Sequence, residues 1–168
     1  RAWAGSDVYK GQGRRSAVLE LEGPFFFGSA GKVGREVDRR ADDGVGHVIL
    51  DLKRVNAIDS TAAQALSRIS RRLDKRGKTL LASYLMPVSA PAGDRAGAKQ
   101  VDREGRRDPS ALHENWLKLR QFGTLAIMGS NHLFPDTDTA MRHCEMLLVA
   151  EIVEVDDRSD DSMPSAEG

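Results

Sequence analysis

The chain has 168 residues, and its 25 basic and 25 acidic side chains give a formal net charge of zero. This balance gives no argument for binding to nucleic acid or to a strongly anionic membrane. The sequence contains no run of about 18 apolar residues, the length that a bilayer-spanning helix needs. Its single cysteine, Cys144, excludes an internal disulfide. The length predicts one domain. No signal peptide is visible, and the missing initiator methionine suggests a piece of a longer protein.

The first part of the chain predicts a polar leader followed by a strand. Residues 1–16 are Gly-rich and polar, which is typical of a leader or linker. Residues 17–22 predict a strand that Gly23-Pro24 interrupts, so we expect this segment to pair antiparallel within itself through a turn near Gly23. The three phenylalanines Phe25–Phe27 cannot all point the same way in a strand, which makes an exposed contact surface possible. A helix is predicted from about 30 to 41.

The chain is organised around a central segment, residues 47–77. Val48, Ile49 and Leu50 form an apolar run that suits a strand covered on both faces. Helical spacing then places a second set of apolar residues on one face of a helix; these are Ala62, Leu66, Ile69 and Leu73. Gly77 is predicted to end this helix in the left-handed conformation.

The turn between that strand and helix consists of Asp59, Ser60 and Thr61. Each of the three is a suitable N-cap, and Thr61 with Gln64 fits a capping box. A well-capped helix is the simpler and favoured explanation of these residues, and a regulatory site is the alternative. In the second interpretation Ser60 is exposed, and a phosphate on it would meet unpaired backbone N–H groups and the helix dipole. Asp59 would oppose that phosphate by like-charge repulsion.

Two segments carry a resemblance to a known family. The residues LDLKRVNAIDSTAAQAL resemble the central motif of STAS domains, which SulP anion transporters and anti-sigma-factor antagonists share. Asp59, Ser60 and Thr61 match the family pattern, whereas Ala62 stands where the family has Gly. The residues LELEGPFFFGSA resemble the opening of bacterial SulP STAS domains. This second match is the more discriminating one, because the antagonists usually have a polar turn there.

The segment after the central helix departs from the family. Residues 79–85 predict another buried strand, and the order of strand, helix and strand implies a right-handed parallel crossover. Residues 86–110 contain three prolines, three glycines and no aromatic residue. This composition predicts a disordered insertion, where STAS domains normally have a short loop.

The last third of the chain again predicts regular elements. Residues 111–122 have helical periodicity, Leu133-Phe134 predicts a short strand, and an amphipathic helix should run to about residue 150. The series from Phe122 to Ala140 resembles the end of SulP STAS domains. Residues 151–168 are acidic and predict a tail or linker. The domain is therefore expected to span residues 17–150.

Together these elements predict an α/β fold. We expect a STAS-like mixed sheet of four or five strands, with about four helices chiefly on one face. No catalytic or metal-binding pattern is recognisable, since the four histidines are scattered and Ser60 has no neighbouring base in the sequence. The chain is therefore not expected to be an enzyme or to hold a metal or cofactor.

The resemblance implies a function through partners. It implies the cytoplasmic STAS domain of a SulP (sulfate permease) anion transporter, which is a secondary active transporter, on the cytoplasmic side of the cell membrane; the fragment itself is expected to be soluble. Ser60 is the candidate phospho-acceptor, and the candidate partner or anion contacts are Asp59, Thr61, Phe25, Phe26, Phe27 and Gly28. The expected partners are the membrane domain of the same polypeptide, a second STAS domain or a cytoplasmic regulatory protein, and not nucleic acid.

Two other functions remain open at this point. The first is a stand-alone anti-sigma-factor antagonist that phosphorylation at Ser60 would switch. The second is a small module that binds a nucleotide or an anion at the start of the central helix. A helix dipole alone contributes well under the binding energy of a specific site, which argues against the second.

Overall fold

The computed structural model describes the backbone of residues 5–9, 15–85 and 109–160, and the side chains of residues 16–85 and 113–150. Within these ranges one sheet has five strands in the order β1-β2-β3-β4-β5. Strand β1 pairs antiparallel with β2, and the other neighbours pair parallel, so the predicted mixed α/β sheet is confirmed. The strands are β1 (Gly5–Tyr9), β2 (Arg15–Phe25), β3 (Val45–Ile58), β4 (Thr79–Ser83) and β5 (Leu133–Phe134).

The helices pack on both faces of this sheet, with most of them on one. The helices of the described ranges are α1 (Phe27–Asp42), α2 (Ser60–Asp74), α3 (Pro109–Gln121), α4 (Thr124–Met128) and α5 (Thr137–Asp160). Helices α1 to α4 contribute to one large apolar core, while α5 covers the opposite face over a smaller cluster. None of the helices in the described part is long and apolar enough to cross a bilayer.

Strand β3 supplies both cores through the alternation of its side chains. Leu50 points into the larger core and Ile49 into the smaller one, and both side chains are fully buried. The prediction that this apolar run belongs to a strand covered on both faces is therefore confirmed, as is typical of parallel strands in the middle of an α/β sheet.

The predicted pairing of the first segment is wrong. Strand β2 does not turn back at Gly23-Pro24 but continues to Phe25, and its antiparallel partner is β1, which lies in the predicted leader. The ladder between β2 and β3 shifts register at Gly23/Pro24. Such an irregularity lets a strand continue past a proline that cannot donate a ladder hydrogen bond.

Several predicted boundaries can be compared with the described ranges. Gly77 has a φ of +64°, as expected for the residue that ends the central helix. Helix α3 begins at Pro109, while residues 86–108 of the predicted insertion lie outside the described ranges. Helix α5 continues to Asp160, so its backbone extends into the predicted acidic tail.

Candidate functional site

The two segments singled out in the sequence meet at one edge of the sheet. Phe25 and Ile58, the last residues of β2 and β3, are register partners. The backbone N–H of Asp59 donates a hydrogen bond to the carbonyl oxygen of Phe25 at 3.3 Å. Helices α1 and α2 therefore begin side by side. We call residues Phe26–Gly28 and Asp59–Thr61 together the helix-start edge.

The N-cap of α2 is Asp59. Its backbone is extended, with φ −93° and ψ 171°, and its Oδ1 accepts a hydrogen bond from the N–H of Ala62 at 2.7 Å. The capping box predicted for Thr61 and Gln64 is therefore wrong: the helix already begins at Ser60, so Thr61 lies inside its first turn. The carboxylate also places a negative charge at the positive end of the helix dipole, which stabilises the helix start.

Ser60, the candidate phospho-acceptor, is exposed at the start of α2. It is the first residue of α2, and its side chain is exposed, while Thr61 beside it is half-buried. In the described part of the chain no base contacts the Ser60 hydroxyl, and no group of three or more His, Cys, Asp or Glu residues could hold a metal. Among the described residues, the Ser60 hydroxyl is thus exposed to solvent without a neighbouring base.

The three phenylalanines divide between core and surface. Phe25 is fully buried in the larger core, so its assignment as a partner contact is wrong: as the last residue of β2 it points inward. The exposed fraction is 44% for Phe26 and 73% for Phe27. The predicted aromatic contact surface therefore consists of Phe26 and Phe27, with Gly28 exposed beside them.

The start of α1 depends on a residue outside the predicted site. Phe26 is the N-cap but has no side-chain acceptor. The hydroxyl of Ser29 accepts a hydrogen bond from the Phe26 N–H and donates one to the Phe26 carbonyl, both at 2.9 Å. This reciprocal pair fixes the backbone from which the two exposed aromatic rings project. Ser29, three residues after the N-cap Phe26, is the signal that could have predicted the earlier start of the helix.

A second polar cluster, on the other face of the sheet, was missed in the sequence. The Thr137 hydroxyl donates to Asp51 Oδ2 at 2.7 Å, and its oxygen lies 2.7 Å from the hydroxyl of Ser83. Asp51 Oδ1 accepts the Lys53 N–H at 2.8 Å. The cluster joins β3, β4 and the start of α5, which are distant in sequence, so only the fold brings its members together.

This cluster borders a polar cavity of about 330 Å³. Tyr84 lies in its wall with a φ of +62°, a strained value for a residue other than glycine, and its N–H bonds the Phe134 carbonyl at 3.0 Å. Burial and the neighbouring Asp51, Asp136 and Asp138 carboxylates raise the pKa of the Tyr84 hydroxyl. The hydroxyl therefore stays protonated at neutral pH, so this cavity has no phenolate to act as a base.

The sequence model of the STAS domain matches residues 9–97, which is more than half of the chain. The chain belongs to the STAS domain family. The matched segment includes both halves of the helix-start edge, so the resemblance stated from Asp59, Ser60 and Thr61 is confirmed. A comparison with curated proteins finds no match.

Several solved structures are similar to this chain. A sulfate transporter family protein from Wolinella succinogenes is 26% identical, with a TM-score of 0.56, and the match covers 79% of this STAS chain and 86% of that one. The murine anion transporter Slc26a9 has a TM-score of 0.54 at 14% identity, over 78% of this chain and 18% of that one. Phosphorylated SpoIIAA, a Bacillus cell fate determinant, has a TM-score of 0.49 at 11% identity, over 83% and 99% of the two chains.

The family model and the likeness to the Wolinella structure confirm the predicted STAS fold. The Slc26a9 match, at 14% identity, indicates the fold alone. The predicted absence of enzymatic activity stays a prediction, as does the role of each residue at the helix-start edge.

Proposed function

We propose that this chain is the cytoplasmic STAS domain of a SulP-type anion transporter and that it regulates or helps assemble the membrane domain of the same polypeptide. The observation that carries the proposal is the exposed pair Phe26 and Phe27, at 44% and 73%, in the segment that resembles the SulP opening. The likeness to the Wolinella sulfate transporter family protein, over 86% of that chain, supports it.

The chemistry of the helix-start edge fits a contact surface. Burying a phenylalanine side chain against a partner is worth about 2 kcal/mol, so an exposed pair is a substantial source of binding energy. The Ser29 hydrogen bonds hold the backbone beneath the rings, which lowers the entropy lost on docking. The transport reaction itself would belong to the membrane domain, and this domain would act on it through contacts.

The experiment begins with the complete reading frame, in which we expect a membrane domain with several apolar spans before Arg1. Uptake of radiolabelled sulfate is then compared between the wild-type transporter and a Phe26→Ser/Phe27→Ser variant. We expect uptake to fall several-fold at an equal amount of protein in the membrane. Met146→Ser is the matched control, because Met146 is 68% exposed on α5, which covers the opposite face of the sheet. An open reading frame without apolar spans, or unchanged uptake in the double variant, would contradict the proposal.

A stand-alone antagonist of an anti-sigma factor is the second candidate. The observation that favours it is the exposed Ser60 at the start of α2, where a phosphate would add nearly two negative charges to the surface. A kinase encoded beside this chain should then transfer phosphate to it, and Ser60→Ala should abolish the transfer. Thr61→Ala is the matched control, because it changes the neighbouring hydroxyl of the same turn. Labelling that persists in Ser60→Ala would remove this candidate.

A further inference from the structure

Two ion pairs link α1 to the second half of α2 and the residues just after it, and an open groove lies between the two helices. Arg72 Nε bonds Asp38 Oδ1 at 2.8 Å, and Arg76 Nη2 bonds Asp42 Oδ1 at 2.5 Å. Both ion pairs tie the ends of the helices together. The open groove has a volume of about 450 Å³, and we call it the α1–α2 groove. Its lining includes Phe27, Gly28, Gly31, Ala65, Arg35 and Arg68.

The fold does not require glycine at the two exposed positions of this groove, Gly28 and Gly31. A methyl group at Gly28 would meet no neighbouring atom within 4 Å, and one at Gly31 would meet only the Arg35 side chain, at 3.7 Å. Gly31 has an ordinary helical backbone, since it is not among the glycines with positive φ. Alanine there would favour the helix more than glycine does. Glycine at this position instead leaves the helix backbone open to close approach from outside.

The rim of the groove has an excess of positive charge. Arg35 and Arg68 line it, and neither has an acidic partner in the described part of the chain. The acidic rim residue Asp38 is already paired with Arg72. The positive excess of the rim therefore comes from the two guanidinium groups of Arg35 and Arg68, since the start of α2 already has the Asp59 carboxylate as its N-cap.

We propose that the α1–α2 groove docks an acidic amphipathic helix of a partner protein. Its apolar ridge would lie against Gly28, Gly31 and Phe27, and its carboxylates would pair with Arg35 and Arg68. A groove between two helices takes the ridge of a third, and guanidinium groups bind carboxylates in a two-pronged geometry. This inference rests on the proposed function, because it names the chemistry of the partner that a regulatory contact at the helix-start edge requires.

A protein helix fits these observations better than a lipid surface does. The groove is a depression between two helices, whereas a bilayer presents a broad and nearly flat surface. The chain as a whole has a formal net charge of zero, so it has no general attraction to anionic lipid. Binding to anionic vesicles is therefore an alternative outcome of the test.

The test measures binding of two synthetic helical peptides to the 168-residue chain by fluorescence anisotropy at low salt. Both peptides are about 15 residues long with the same leucine stripe; one has Glu and the other Lys beside the stripe. We expect the acidic peptide to bind at least about tenfold more tightly than the basic one. Gly31→Leu fills the groove, and Arg68→Glu reverses the charge of its rim. Each substitution should lower the affinity for the acidic peptide by about tenfold.

Two controls keep the outcomes separate. Arg142→Glu makes the same charge change on α5, on the other face of the sheet. Its affinity for the acidic peptide should stay within about twofold of the wild-type value. Gly31→Ala should raise the midpoint of thermal unfolding, which shows that substitution at this position is compatible with folding.

Equal binding of both peptides, or equal losses in Arg68→Glu and Arg142→Glu, would overturn the proposal. The proposal would also be overturned if neither peptide binds while the protein binds phosphatidylglycerol vesicles, and Gly31→Leu does not weaken that binding. This result would assign the basic rim to a membrane. Because the peptides contain no transporter sequence, either result leaves the sulfate-uptake experiment on the proposed function unaffected.

Discussion

The two faces of the sheet differ in how completely they are covered. Among the described side chains, 24 buried residues form one continuous cluster on the α1–α2 side. On the α5 side the described side chains form a cluster of six buried residues. Helix α5 also leaves Met146 and Val149 more than 60% exposed. Most of the apolar burial, and therefore most of the hydrophobic stabilisation, lies on the first face.

This difference has a consequence for the site. The helix-start edge belongs to the well-packed face, where Phe25, Ala62 and Ala63 anchor its two segments in the larger core. A contact surface on such a scaffold is held in position before a partner arrives. The face under α5 depends more on polar links, such as the Thr137 hydroxyl between Asp51 and Ser83. We therefore expect the two faces to respond differently to the same kind of substitution.

The largest difference should come from removing a leucine on each face. Leu66 on α2 is completely buried, whereas Leu148 on α5 is 9% exposed. Leu66→Ala should lower the free energy of unfolding by about 4 kcal/mol, and Leu148→Ala by about 2 kcal/mol, since the second site can relax into solvent. Guanidinium chloride unfolding followed by circular dichroism measures both values. Equal losses would mean that the two faces contribute alike to stability, contrary to the burial pattern.

The cysteine under α5 should make that face sensitive to alkaline pH. Cys144 is buried, and burial raises the pKa of its thiol from 9.0 to about 11. As the pH rises, the thiol ionises at a lower pH in the unfolded chain than in the folded one. The stabilisation that the raised pKa represents is therefore complete below pH 9 and is lost as the pH rises towards 11. Between about pH 8 and pH 10.5, the free energy of unfolding of the wild-type protein should fall by about 1.5 kcal/mol more than that of Cys144→Ala.

Comparing the wild type with Cys144→Ala removes the other groups that titrate in this range, including Tyr84, because they are the same in both proteins. Parallel pH profiles for the two proteins would show that the thiol is accessible to water in the folded state, and that α5 covers its face less well than the structure indicates.

The sequence predicted best those elements whose pattern is long and regular. The unit of β3, α2 and β4 has a continuous apolar strand and a helix with a clear period, so its type, order and parallel pairing followed from the residues alone. Gly77 and the family resemblance fixed the end of that helix and the overall fold class. At the site, the sequence alone identified Ser60 and Asp59 as neighbours at a helix start.

The errors arose where tertiary contacts overrule local signals. Strand β1 lies in a short, polar, Gly-rich segment, and only its pairing with β2 shows that it is a strand. Gly23-Pro24 is a strong turn signal, yet the parallel ladder with β3 continues beyond it. The inward direction of Phe25 depends on where β2 ends, and the cluster around Asp51 depends on helix α5, more than 80 residues away in the chain. None of these could be read from local spacing.

The smallest expected effect tests whether the two faces of the sheet unfold as one cooperative unit. Asp59 caps α2 through the N–H of Ala62, and Asp136 accepts a hydrogen bond from the N–H of Thr139 at the start of α5, each at 2.7 Å. Replacing either aspartate by alanine should cost about 1 kcal/mol, measured again by denaturant unfolding. If α5 separates before the sheet unfolds, Asp136→Ala will leave the main transition unchanged and lower only the hydrogen-exchange protection of α5. Equal losses in the main transition would instead show that the lightly packed face is as much a part of the cooperative unit as the face that carries the helix-start edge.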